Sequence, residues 1–160
     1  MDINFLRPVF EWLDTTAFSQ FLQNSTYTFP VIEVVHLMGL TMLVGAQAAV
    51  SLRLLGFGMQ RPASELYEGL RGWSWLGLAI IVSTGVSMVI AEPIKLSTNP
   101  AFPYKLLFIL ITAALYGFGY LQIVKPGRAE ANPWTARIVA ILLNGSIFSA
   151  GVAGRSIGFV

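Results

Sequence analysis

Four long apolar runs divide this chain, separated by short stretches where prolines, glycines and charges collect. The runs cover about residues 29–52, 73–91, 106–124 and 138–158. Each has roughly the 17–25 residues with which a helix crosses ~30 Å of hydrocarbon. The second and third contain no Asp, Glu, Lys or Arg. Buried helices of soluble proteins are rarely so long and so uniformly apolar. The pattern therefore predicts an all-α fold, an integral membrane four-helix bundle.

Residues 1–28 form a separate segment with a different rhythm. Phe5, Leu6, Val9, Phe10, Trp12, Leu13, Phe18, Phe21 and Leu22 recur at near-helical spacing, with Arg7, Glu11 and Asp14 between them. This predicts an amphipathic N-terminal helix that lies in the membrane interface or caps the bundle. Pro30 suits the first turn of span 1. Arg61-Pro62-Ala-Ser64 reads as a turn, followed by helix from Glu65 to Arg71 that leads into span 2 at the interfacial Trp73 and Trp75. Glu92-Pro93 is expected to end span 2, and Asn99-Pro100 with Pro103 to make a stiff, extended connection. Lys125-Pro126-Gly127 and Asn132-Pro133-Trp134 bound the last loop.

Composition narrows the functional classes. A net charge of +2 without a basic cluster argues against nucleic acid as a partner and leaves the lipid bilayer. With no cysteine, disulfides, iron–sulfur clusters and thiolate chemistry are excluded. Asp2, Glu11 and Asp14 do not fit a cleavable signal peptide, so span 1 is expected to be the insertion signal. Arg53, Arg61, Arg71, Lys125, Arg128 and Arg137 fall on one side of the membrane; Arg7, Lys95, Lys105 and Arg155 fall on the other. That bias predicts both termini outside, in the periplasm if the membrane is a bacterial inner membrane.

Charges inside the spans are few, and this makes them informative. Glu33 and His36, the only histidine, lie one and two turns into span 1. His36, Leu40, Leu43 and Gln47 share a stripe that is expected to face inward. Glu92, Lys105 and Arg155 fall near the same end of the other spans and could pair with one another as snorkelling side chains. An ionisable pair at this depth faces protein, a cofactor or a polar cavity more cheaply than lipid. The small residues of span 4 (Gly145, Ser149, Gly151, and the Gly154–Gly158 pair) suit close helix packing within the bundle, or a homodimer seam or membrane-complex contact.

One inward histidine has three chemical uses. It can be the axial ligand of a b-type heme engaged in electron transfer, with Gly39 leaving room for the macrocycle and Lys105 and Arg155 pairing with propionates. With no second histidine, the iron would be five-coordinate, take Met88, at a similar depth on span 2, or be shared across a dimer. It can bind copper together with Met38, Met42 or Met88, since Cu(I) accepts imidazole and thioether donors. Or the Glu33–His36 pair can relay protons or simply lock helix packing, as in an accessory or scaffold subunit. A di-iron bundle needs the Glu-x-x-His step twice with two further carboxylates, and a serine hydrolase needs a nucleophile elbow. The chain has neither.

The stretch Phe29-Pro-Val-Ile-Glu33-Val-Val-His36-Leu-Met-Gly39-Leu, with Leu52-Arg53-Leu-Leu-Gly56, Asn99-Pro-Ala-Phe102-x-x-Lys105-Leu and Gly154-Arg155-x-Ile157-Gly158-Phe159, resembles a family of small bacterial four-span membrane proteins of unknown function. More distantly, the His36…Gly39…Gly45…Arg53 helix and the Lys105-Leu-Leu helix are similar to the membrane domain of copper-resistance D proteins and to HemJ-type protoporphyrinogen oxidases. The latter resemblance implies that His36 is a heme ligand and that Lys105 lies near the porphyrin. HemJ-type proteins carry further histidines that are absent from this chain.

Overall fold

The computed structural model describes residues 6–58 and 61–159. Phe5, where the expected amphipathic pattern starts, lies outside them. The elements run α1 (Arg7–Asp14), α2 (Ala17–Asn24), α3 (Thr28–Leu54), α4 (Ala63–Ala91), α5 (Pro93–Thr98), α6 (Phe102–Ile123), α7 (Arg128–Ala131) and α8 (Pro133–Ser156). Among the described residues there is no strand. Helices α3, α4, α6 and α8 are each long and apolar enough to cross a membrane. The four-span bundle is thus present, with longer helices than the apolar runs alone predict.

The N-terminal segment folds as two short helices rather than one. Thr15 and Thr16 turn their hydroxyls back onto the carbonyls of Trp12 and Leu13, each at 2.7 Å. Thr16 then caps α2 by accepting from the Ser19 amide at 3.3 Å. Threonines that bond locally in this way compete with helix propagation, which is why apolar spacing alone misses the break. Phe10 and Leu22 are buried against the bundle, while Trp12, Phe18 and Phe21 remain exposed. One face of these helices thus caps the bundle, and the other presents aromatic side chains outward.

Prolines start helices here more often than they stop them. Pro93, Pro103 and Pro133 all stand in first turns, where the missing amide proton has no cost. The connection between spans 2 and 3 is therefore helical as α5, with only Asn99 extended, instead of extended throughout. Helix α3 ends in a Schellman motif: the Gly56 amide donates to Arg53 at 3.1 Å and the Phe57 amide to Leu52 at 2.9 Å. Gly56 takes φ 97°, a backbone conformation that glycine adopts without strain.

Helices α3 and α4 form a closely packed antiparallel pair, α6 and α8 a second, and α3 joins the pairs by packing on α8. Two apolar cores hold the bundle, one at each end. At the loop end, Val50, Leu54, Tyr67, Tyr120, Ala140 and Leu143 are buried together. At the end capped by α1, α2 and α5, Phe10 packs edge-on against Phe102, with Leu96 beside them. Val89 and Leu106 rest on this second cluster. Between the two ends, α4 and α6 make little contact.

Helix α6 contains a π-helical turn, Leu115–Tyr120. Its tyrosines stack, Tyr116 on Tyr120 with centroids 5.2 Å apart, and Tyr67 of α4 meets Tyr120 edge-on at 5.9 Å. At the capped end, Ser19 donates to the Ile90 carbonyl at 2.7 Å, and Asn99 donates to the Ile157 carbonyl at 3.0 Å. These bonds use carbonyls at the ends of α4 and α8 that have no partner within their own helices.

The closest approach in the bundle is between Gly39 of α3 and Gly77 of α4. A Cβ on Gly77 would lie 2.7 Å from the Leu43 amide nitrogen and 2.8 Å from the Gly39 carbonyl oxygen. A Cβ on Gly39 would lie 2.6 Å from Ile80 Cγ2. The atoms in the way are largely backbone, so the helices themselves would have to separate. Gly77→Ala is expected to destabilise the detergent-solubilised protein by about 1–3 kcal/mol, as overpacked cores do. Gly45→Ala, where nothing lies within 4 Å, is expected to leave the thermal melting curve unchanged or shift it slightly upward.

Candidate functional site

His36 stands two turns into α3 and is half-buried. Its Nδ1 lies 2.8 Å from Thr84 Oγ1 on α4. Thr84 has one hydroxyl proton, which it gives to the Ile80 carbonyl at 2.5 Å. With that proton on Ile80 the hydroxyl accepts from the ring, which fits a neutral imidazole protonated at Nδ1 with its lone pair on Nε2. Gly85, the next residue on α4, gives the ring its place: a Cβ there would sit 3.5 Å from His36 Cε1.

Lys105 approaches from the other pair of helices. Its side chain lies across Gly154 of α8, with Cε 3.4 Å and Nζ 3.6 Å from where a Cβ on that glycine would be. Lys105 is half-buried and makes no hydrogen bond or ion pair among the described residues. It is near enough to His36 for the two to interact electrostatically, as is Glu33. All four spans thus contribute to one polar locus: His36 from α3, Thr84 and Gly85 from α4, Lys105 from α6 and Gly154 from α8.

The remaining sequence candidates fall elsewhere. Glu33 is exposed on α3 and has no hydrogen-bond or ion-pair partner among the described residues. Gly39 is buried at the helix crossing, where Ile80 fills the space expected for a macrocycle. Met88 is half-buried on α4, one turn from Thr84 towards the capped end. Arg155 is exposed, its guanidinium 5.4 Å from the Phe159 ring centroid. The expected pairing of Glu92 with Lys105 and Arg155 does not form. Glu92 instead binds Lys95 of the adjacent helix α5 at 3.0 Å, because Pro93 restarts the chain as a helix and brings the lysine back.

The His36 stripe points inward as the 3.6-residue period predicts. Gln47 is buried and donates to Ser51 Oγ at 3.0 Å. Thr84, Gly85 and Gly154 are the residues that sequence reasoning missed. The Ser83-Thr84-Gly85 step, polar and small within an apolar run, was the available signal for the first two.

The arrangement brings an imidazole and an ammonium without a side-chain partner among the described residues into each other's field. The four apolar helices make the molecule a multi-pass, all-helical membrane protein. The chain belongs to the DUF6644 family, a family of unknown function, whose model matches residues 9–160. No curated protein and no solved structure matches it.

The tautomer is directly measurable, because the only histidine gives one set of ring ¹⁵N signals. Wild type and Thr84→Ser are expected to show protonated Nδ1 and unprotonated Nε2 near neutral pH. Thr84→Val, which removes the acceptor, is expected to shift the population towards the Nε2-protonated form that free imidazole favours.

Proposed function

We propose that this protein binds a b-type heme through His36 Nε2 and takes part in electron transfer within the membrane. The observation that carries the reading is the 2.8 Å contact from Nδ1 to Thr84 Oγ1, an acceptor that favours the Nδ1-protonated ring and so supports Nε2 as the ligand atom. Metal-bound histidines characteristically donate their other ring N–H to an oxygen acceptor, and Thr84 supplies one. A porphyrin brings four nitrogens of its own, so a single protein donor is enough. This matters because no group of three or more His, Cys, Asp or Glu side chains converges among the described residues.

Bound there, the heme would supply one-electron redox chemistry. Thr84 holds the imidazole in orientation and Gly85 admits the ring. Lys105 would offer its ammonium to a propionate, which would relieve the cost of a half-buried charge. Gly39 does not supply the space, since Ile80 stands against it. Glu33 acts on the imidazole through its field. The charge bias of the loops supports a periplasmic side for the capped end and both termini.

Copper is a second reading. Met88 lies one turn from Thr84 on α4 and could join His36 Nε2 as a soft ligand. A role as an accessory subunit of a membrane complex would need no cofactor at all.

An absorption spectrum of detergent-purified protein from heme-supplied cells separates these readings. A Soret band that sharpens with dithionite, is lost in His36→Ala and is retained less firmly through purification in Lys105→Gln is the expected result. A colourless protein that carries stoichiometric copper, lost in His36→Ala and in Met88→Leu, would replace heme with copper. A protein with neither would reduce the site to a packing element.

A further inference from the structure

An open groove of about 410 Å³ runs between α6 and α8 at the capped end. Tyr104 and Phe108 line one wall, Phe148, Val152 and Ala153 the other, and Ser156 stands at its mouth. From Ser156 to Phe148 the groove descends about 12 Å along α8, the rise of eight helical residues. Its mouth is at the helix ends, where headgroups lie, and its floor reaches into the hydrocarbon region.

The charges around that mouth do not balance. On the capped end, Glu11 is paired with Arg7 and Glu92 with Lys95, each at 3.0 Å. Asp14 accepts from Gln23 at 2.9 Å. Arg155 is exposed beside Ser156, one turn from Val152, and has no carboxylate partner among the described residues. Glu33 on α3 and Asp14 in α1 also lack an ion pair among the described residues, and neither pairs with Arg155.

We propose that the α6–α8 groove is a binding site for an anionic phospholipid, with one acyl chain along the groove and the phosphate at Arg155. An apolar channel of this depth suits an acyl chain, and an exposed guanidinium at headgroup level, resting on Phe159 with no carboxylate partner among the described residues, selects for net negative charge over a zwitterion. Tyr104, half in the groove and half exposed, suits the boundary where an aromatic ring prefers to sit. The site is separate from His36 and does not depend on what His36 binds.

The test is native mass spectrometry of the protein released from nanodiscs of equal phosphatidylglycerol and phosphatidylcholine. Wild type is expected to retain phosphatidylglycerol over phosphatidylcholine by about fivefold, the factor that one cation near an anionic headgroup is worth. Arg155→Gln should bring the two to parity. Ala153→Phe, which fills the groove, should reduce retention of both. Arg155 is exposed, so its substitution tests the idea even if the Ala153 variant folds poorly. Equal retention of the two lipids by wild type, or an unchanged preference in Arg155→Gln, would overturn the proposal.

Discussion

The backbone contact between Gly39 and Gly77 sets the geometry from which the rest of the site follows. Helices in lipid gain little from burying apolar side chains, so association relies on close packing. Two glycines facing each other let α3 and α4 touch backbone to backbone. That distance is what allows a short threonine hydroxyl on α4 to reach an imidazole ring on α3, about one turn beyond the crossing. With larger residues at the crossing, His36 and Thr84 would be held too far apart for a hydrogen bond. The glycine that looked like space for a macrocycle is instead what brings His36 within reach of Thr84.

The two apolar cores explain why a polar locus can exist between them. At the loop end the tyrosines of α4 and α6 close the bundle, and at the capped end Phe10, Leu96 and Phe102 do the same. Each core joins helices from both pairs. Between them α4 and α6 make little contact. The half-buried His36 and Lys105 are tolerable because the apolar ends supply the cohesion.

Much of this was legible in the sequence, for physical reasons that can be named. The four spans could be read because hydrocarbon thickness imposes a length that few soluble helices meet. The inward face of span 1 could be read because His36 and Gln47 repeat at the helical period, and Gln47 is indeed buried. The break at Thr15–Thr16 was hidden because it depends on side-chain bonds to the backbone rather than on hydrophobic spacing. The partner of Glu92 was hidden because the helical return after Pro93 brings Lys95, not the more distant lysine, within reach. Thr84 was hidden for a third reason: a hydroxyl in an apolar helix usually bonds its own helix, and only the neighbouring ring turns it into an acceptor. Heme, copper and lipid lie beyond what such patterns contain.

The π-helical turn in α6 carries a consequence for how this molecule can vary. A π turn accommodates one residue more than an α turn, the structural trace of an insertion. Because the extra residue is taken up inside the turn, the helix beyond it keeps its facing, and Tyr120 stays against Tyr67. Removing one residue between Leu115 and Tyr120 would close the turn into a regular helix without re-aiming the loop-end core or Lys105 over Gly154. A deletion elsewhere in α6 has no such buffer and would rotate everything beyond it by about 100°. The π turn is thus the one place in α6 where chain length can change while both ends of the helix keep their partners.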